Sequence, residues 1–298
     1  MLTLKSSRKY PVPDWEAEQR LLAGKNLGRP ELEKFWEERC REWVRLVNES
    51  VGADYTVHDS KNFILLCSQD RETAVKILRW AEKCYARYIR NLAGIAPDTF
   101  GLIPMIVLKD LDTYYAYISE YYPDGEHGFS GGVYLFQGYG HFAFCFRDLG
   151  EAERVVAHEL VHALLLGLDI PAWLNEGIAQ IAEVGMTGQG YGMDERFPRY
   201  WNEQTIQDFW QGSGFNRQDH GQMHSYYLAL LLTRRLAADK KRFERFVHLA
   251  RPDDAGYAAM LEIYGVRLED LVAEHLGQGD WIPAGSGARW KAQDNLQY

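Results

Sequence analysis

The stretch Ala157–Gln180, AHELVHALLLGLDIPAWLNEGIAQ, decides how this chain is read. Around its first half, Val156, Leu160, Val161 and Leu164 recur at the period of an α-helix with one buried face. His158 and His162 are four apart, so both imidazoles leave one face about one turn from each other. Two nitrogens from one rigid helix suit two corners of a zinc tetrahedron. Glu159 lies about 100° round the helix, too far off-axis for a comfortable third ligand. It can still reach a metal-bound water from the side, which is the physical logic of an HExxH helix. The competing reading is a leucine-rich core helix with two hydrogen-bonded histidines.

The second half separates the two. Asp148 and Glu151 form a D-x-x-E helix start, and Gly167 suits the helix end. Pro171 then opens a second helix, with Gly185 expected just past its end. A five-residue connection, Gly167 to Pro171, makes the helices near-antiparallel or steeply crossed. Glu176, one turn into the second helix, can then face the imidazoles. His158, His162 and Glu176 form a His₂Glu set with a fourth position open to water, and Zn²⁺ is the expected cofactor. A carboxylate buried there with no cation would be costly.

Upstream, Leu32, Phe35, Trp36, Cys40, Trp43, Val44 and Val47 mark one apolar face of a tryptophan-rich helix behind Pro30. That face fits either this protein's own core or a protein partner. KNFILLCS (61–68) and GLIPMIVLKD (101–110) read as buried strands, with a helix over Glu72–Leu92 between them. Leu111–Tyr122 reads as a short helix, and PDGEHGFSGG (123–132) as a turn-rich loop. GVYLFQ and GHFAFCF form a hairpin, after which the pattern stays helical to about residue 276. Strands first and helices afterwards predict an α+β protein. The expected divisions are an N-terminal helical extension (1–54), a sheet subdomain (55–150), a helical subdomain (151–276) with the active-site cleft between the two, and a tail (277–298). Trp281, Trp290 and Tyr298 are placed to clip that tail to the body.

Composition narrows the function. A net charge of −9 with no Lys/Arg run argues against nucleic acid as the main partner. Cys40, Cys67, Cys84 and Cys145 are scattered with no CxxC pair, so buried free thiols are expected rather than a disulfide framework. No apolar segment follows the early positive charges, and the apolar runs are too short to span a bilayer. A cytoplasmic location and no membrane partner are therefore expected.

HELVHALL followed by IPAWLNEGIAQ resembles the gluzincin clan of zinc metallopeptidases, and more narrowly its peptidase MA-like domains. The resemblance covers about Tyr55–Leu276 and implies a zincin-like fold. It also implies that the strand before the metal helix is an exposed edge that binds extended peptide, here His141, Phe142, Ala143 and Phe144. The family places an oxyanion-stabilising tyrosine in a later helix. Tyr226 takes that position, with His224 and Tyr227 beside it and Ala229 where the family often has serine. Gln180 stands where related sites carry an acid that hydrogen-bonds a zinc histidine.

These residues predict a zinc metallopeptidase acting on a peptide or protein, with Glu159 as general base. A peptidase-fold scaffold protein, or a latent peptidase gated by its tail or a partner, would share the same motif.

Overall fold

A computed structural model describes residues 2–6, 8–97, 101–122, 131–190 and 195–285. The chain divides into two compact units, Met1–Arg90 with Asp98–Leu164, and Asn91–Pro97 with Leu165–Tyr298. Residues 123–130 of the loop expected at 123–132, and the tail residues Trp290 and Tyr298, lie outside the described residues.

The first unit contains α1 (Trp15–Arg20), α2 (Arg29–Val51), β1 (Thr56–Asp59), β2 (Phe63–Cys67), α3 (Arg71–Asn91), β3 (Ile103–Leu108), α4 (Leu111–Ile118), β4 (Gly132–Phe136), β5 (Gly140–Cys145) and α5 (Leu149–Leu164). Its mixed sheet runs β1-β2-β3-β5-β4. The three central strands are parallel, Leu65 pairing with Met105 and Val107 with Phe144. The two outer strands are antiparallel to their neighbours.

Alternation along the strands assigns the two faces. Ile64, Leu66, Ile106, Leu108, Ala143 and Cys145 share a core with Trp15, Trp36, Trp43, Val47, Tyr114 and Tyr117. Helices α1, α2 and α4 therefore cover that face. On the other, Phe63 meets Tyr85 of α3, and α5 packs on β4 and β5. With both faces covered, the central strands become continuous apolar runs, and all five residues of β2 are buried. The tryptophan-rich face of α2 belongs to this core: Trp43, Val44 and Val47 are buried within the unit. The four cysteines are free and buried, and burial pushes the Cys40 and Cys84 thiols up to about 12.

One expectation is corrected. The strand carrying His141, Phe142, Ala143 and Phe144 is not an edge, because β5 lies between β3 and β4. Its backbone groups are committed to ladders on both sides, and those four side chains are buried. The edge of the hairpin is β4. His141 instead packs edge-on against Trp43, with ring centroids 4.7 Å apart, and its Nε2 hydrogen-bonds the Tyr117 hydroxyl at 2.9 Å.

Burial lowers His141 to about 3, so the imidazole stays neutral in the fold while it titrates normally in the unfolded chain. The unfolded state binds the extra proton between those two values, so stability falls as pH drops below about 6.5. Going from pH 7 to pH 4.5 is expected to remove on the order of 3 kcal/mol through this residue. Urea melts at both pH values, for the native chain and His141→Leu, check it. A variant that loses as much stability as the native chain over this range would disprove the assignment.

The second unit is helical: α6 (Ala172–Thr187), α7 (Phe197–Tyr200), α8 (Glu203–Gln211), α9 (His220–Ala237), α10 (Lys240–Leu249), α11 (Tyr257–Tyr264) and α12 (Leu268–Leu276). Helix α6 runs past Gly185 and ends at Gly188, whose φ of 71° supplies the left-handed cap. Its N–H bonds the Val184 carbonyl. Trp281 is anchored as expected for a clip. The Trp210 indole N–H donates to its carbonyl at 2.9 Å, and its own indole N–H donates to the Gly277 carbonyl at 2.7 Å. Among the described residues, no helix is long and apolar enough to cross a membrane.

Candidate metal centre

The HExxH helix α5 is set by contacts on three sides. At its start the Asp148 carboxylate accepts the Glu151 N–H at 2.9 Å, the predicted cap. From α3, the Trp80 indole donates to the Glu153 carbonyl at 2.9 Å and the buried Tyr88 hydroxyl to the Ala157 carbonyl at 3.0 Å. These two bonds fix the helix just ahead of His158. On the sheet side, Gly132 lets β4 lie close: a Cβ there would stand 2.3 Å from Val155 Cγ1.

Helix α6 is placed by Trp173, which is fully buried against Phe209, Trp210 and Phe246. Its indole N–H donates to the Ala255 carbonyl at 2.9 Å. Glu176 follows one turn later, so this aromatic anchor sets where its carboxylate lies. Gly177 allows α6 to press on α9, since a Cβ would stand 1.9 Å from Thr233 Oγ1 and 2.6 Å from the Ala229 carbonyl oxygen.

Given these two helices, one donor atom each from His158, His162 and Glu176 falls within 4.8 Å of the others. All three residues are half-buried. The two imidazoles are 4.9 Å apart by centroid and inclined at 71°. Ligands at about 2.0–2.2 Å from one zinc ion stand about 3–4 Å from each other. The three donor atoms thus lie on the scale of separation that a single ion requires. Two imidazoles and a carboxylate also match zinc's preference for nitrogen and oxygen donors. The group can hold a metal ion.

Glu159 is buried at 8% exposure. Tyr122 is close enough to sense it: burial raises the Tyr122 phenol, and the Glu159 charge raises it further. Nothing in the sequence pattern singled out Tyr122. Gln180 is buried too, and its side-chain amide donates to Glu183 Oε2 at 3.3 Å. Glu183, two turns after Glu176 and buried at 2% exposure, thus places a carboxylate beside Gln180.

On α9 the three candidates divide. Tyr226 packs on Phe215 with centroids 5.3 Å apart, and Tyr227 on Phe197 at 5.1 Å. His224 is buried between Phe197 and Tyr200.

Fold and site together define a mixed α+β protein with a His₂Glu group able to hold a metal ion. No protein-family model matches the chain, and no curated protein matches it in sequence.

Proposed function

We propose that this chain is a zinc-dependent metallopeptidase that hydrolyses peptide bonds. The observation supporting this reading is the convergence of His158, His162 and Glu176, with Glu159 on the same helix in HExxH spacing. When bound, zinc supplies the Lewis acidity that makes water nucleophilic near neutral pH. His158 and His162 hold the ion from α5, and Glu176 holds it from α6. Glu159 takes a proton from the attacking water and passes it to the leaving amine. A C–O bond forms, the C–N bond breaks, and the products are a carboxylic acid and an amine. Tyr226 is the candidate donor to the developing oxyanion. Strand β4, rather than β5, is the outermost strand on that side of the sheet among the described residues, where an extended substrate would pair.

Metal analysis together with a peptide-library digest tests the reading. The native chain is expected to bind zinc at one ion per molecule and to cleave peptides in a chelator-sensitive, zinc-restored manner. Glu176→Ala should weaken zinc binding at least a hundredfold, measured by chelator competition, because it removes a charged ligand. A native chain without stoichiometric zinc affinity, or zinc affinity that ignores Glu176, would overturn the proposal.

A further inference from the structure

A second feature lies in the helical unit, at the start of α9. An open cavity of about 360 Å³ is lined by residues that include Arg196, Arg199, Tyr200, Asp219, His220 and His224. Arg196, Arg199 and His220 are exposed, whereas His224 is buried. Asp219 is the acid among these residues, and its charge is already engaged. Arg217, which also pairs with Asp208 at 3.3 Å, binds it through two bonds of 2.9 and 2.7 Å, and the Gly221 N–H donates to it at 2.8 Å. The Arg217 guanidinium accordingly holds the Asp219 carboxyl down at about 2. Arg199 has no ion-pair partner among the described residues. The Tyr200 hydroxyl is buried against Gly221 with no hydrogen-bond partner among the described residues.

Among the lining residues the two guanidinium groups of Arg196 and Arg199 outnumber the one acid, Asp219, in a chain whose net charge is −9. Local sign decides recruitment here, because charges farther away than about 8–10 Å are screened at physiological salt. A guanidinium fork matches a carboxylate through two parallel N–H bonds. Position supplies the second argument. Helix α9 crosses α6 at Ala229 and Thr233, opposite Gly177, the neighbour of Glu176. His224 lies five residues before Ala229, about 8 Å along the helix.

We propose that this cavity is a subsite for a carboxylate of the peptide substrate, with Arg199 as its principal determinant. The identification of the ligand as a peptide rests on the peptidase reading; the carboxylate preference rests on the cavity alone. The carboxylate belongs either to the peptide C-terminus or to an Asp/Glu side chain.

The test measures binding by titration calorimetry to the full chain carrying Glu159→Gln, so that no probe is consumed. The probes are acetyl-Ala-Ala-Ala-Ala as free acid and as amide, and acetyl-Ala-Ala-Glu-Ala-amide beside its Gln counterpart. At least one acidic probe is expected to bind tenfold or more tightly than its neutral partner, and the pair that shows this identifies which carboxylate is read. Arg199→Gln should abolish the preference, and Arg199→Lys should restore part of it. Arg199 is exposed, so both variants should melt like the parent. Equal binding of acid and neutral probes, no measurable binding of any probe, or a preference that survives Arg199→Gln would overturn the proposal. If the native chain cleaves no peptide while the acid preference holds, the peptidase reading fails and the subsite stands.

Discussion

Glu159→Gln is expected to leave zinc binding unchanged and to cut turnover of a cleavable peptide about a thousandfold. The side chain is nearly isosteric, and the group able to hold a metal consists of other residues, His158, His162 and Glu176. What the amide lacks is a lone pair basic enough to take a proton from water. General-base assistance contributes roughly 10²–10⁴ in rate, so the loss should appear in kcat with KM little altered. Zinc content, zinc affinity and steady-state kinetics on one peptide check all three parts. Cleavage at the native rate would remove Glu159 from the mechanism. Loss of zinc along with activity would instead make it a structural residue of the site.

The second large effect is expected from Gly177→Ala. In an ordinary helix interior, replacing glycine by alanine stabilises by about 1 kcal/mol. Here the added methyl would stand 1.9 Å from Thr233 Oγ1 and 2.6 Å from the Ala229 carbonyl oxygen. The hydroxyl can rotate aside, but the carbonyl is part of the α9 backbone and cannot. Overpacking of this kind costs about 1–3 kcal/mol, which outweighs the propensity gain. The fold should lose about 2 kcal/mol, and zinc affinity should fall because Glu176 moves with its helix. Adding Thr233→Ala should recover only part of the loss, since the carbonyl contact stays. Unchanged urea midpoints in the single variant would show that α6 and α9 are not in such close contact.

Much of this was legible from the residues, for reasons that can be stated. The HExxH helix announced itself by period, by the Asp148 cap and by Gly167, all local signals. Strands β2 and β3 were readable because burial on both faces makes them continuously apolar. Strand β1 was not, because Thr56–Asp59 is a short edge strand whose side chains are mostly exposed. The order of the sheet was equally hidden. Adjacency in sequence made the hairpin visible, but which of its strands lies outermost depends on β3, some thirty-five residues earlier. The end of α6 is ambiguous in the sequence because Gly185 and Gly188 are both glycines, and only the second takes the left-handed backbone that stops the helix. At the site, His158, His162 and Glu176 were readable from spacing. Glu183 and the arginine-lined cavity were not, since each depends on which side chains the packing brings together.

The distribution of the cysteines has a use of its own. Cys40, Cys67, Cys84 and Cys145 all belong to the sheet-bearing unit, and the helical unit has none. All four are buried, and their thiols titrate above the ordinary range. In the native state they are therefore poor targets for alkylating reagents. Each becomes reactive only when its own element opens: Cys40 on the buried side of α2, Cys67 and Cys145 in the sheet, and Cys84 on the buried side of α3. The rate at which each thiol is trapped thus gives the frequency of local opening, position by position, without any engineered label. That clock runs for one unit and is silent for the other, so opening of the unit that carries His158 and His162 can be timed separately from opening of the helical unit that carries Glu176.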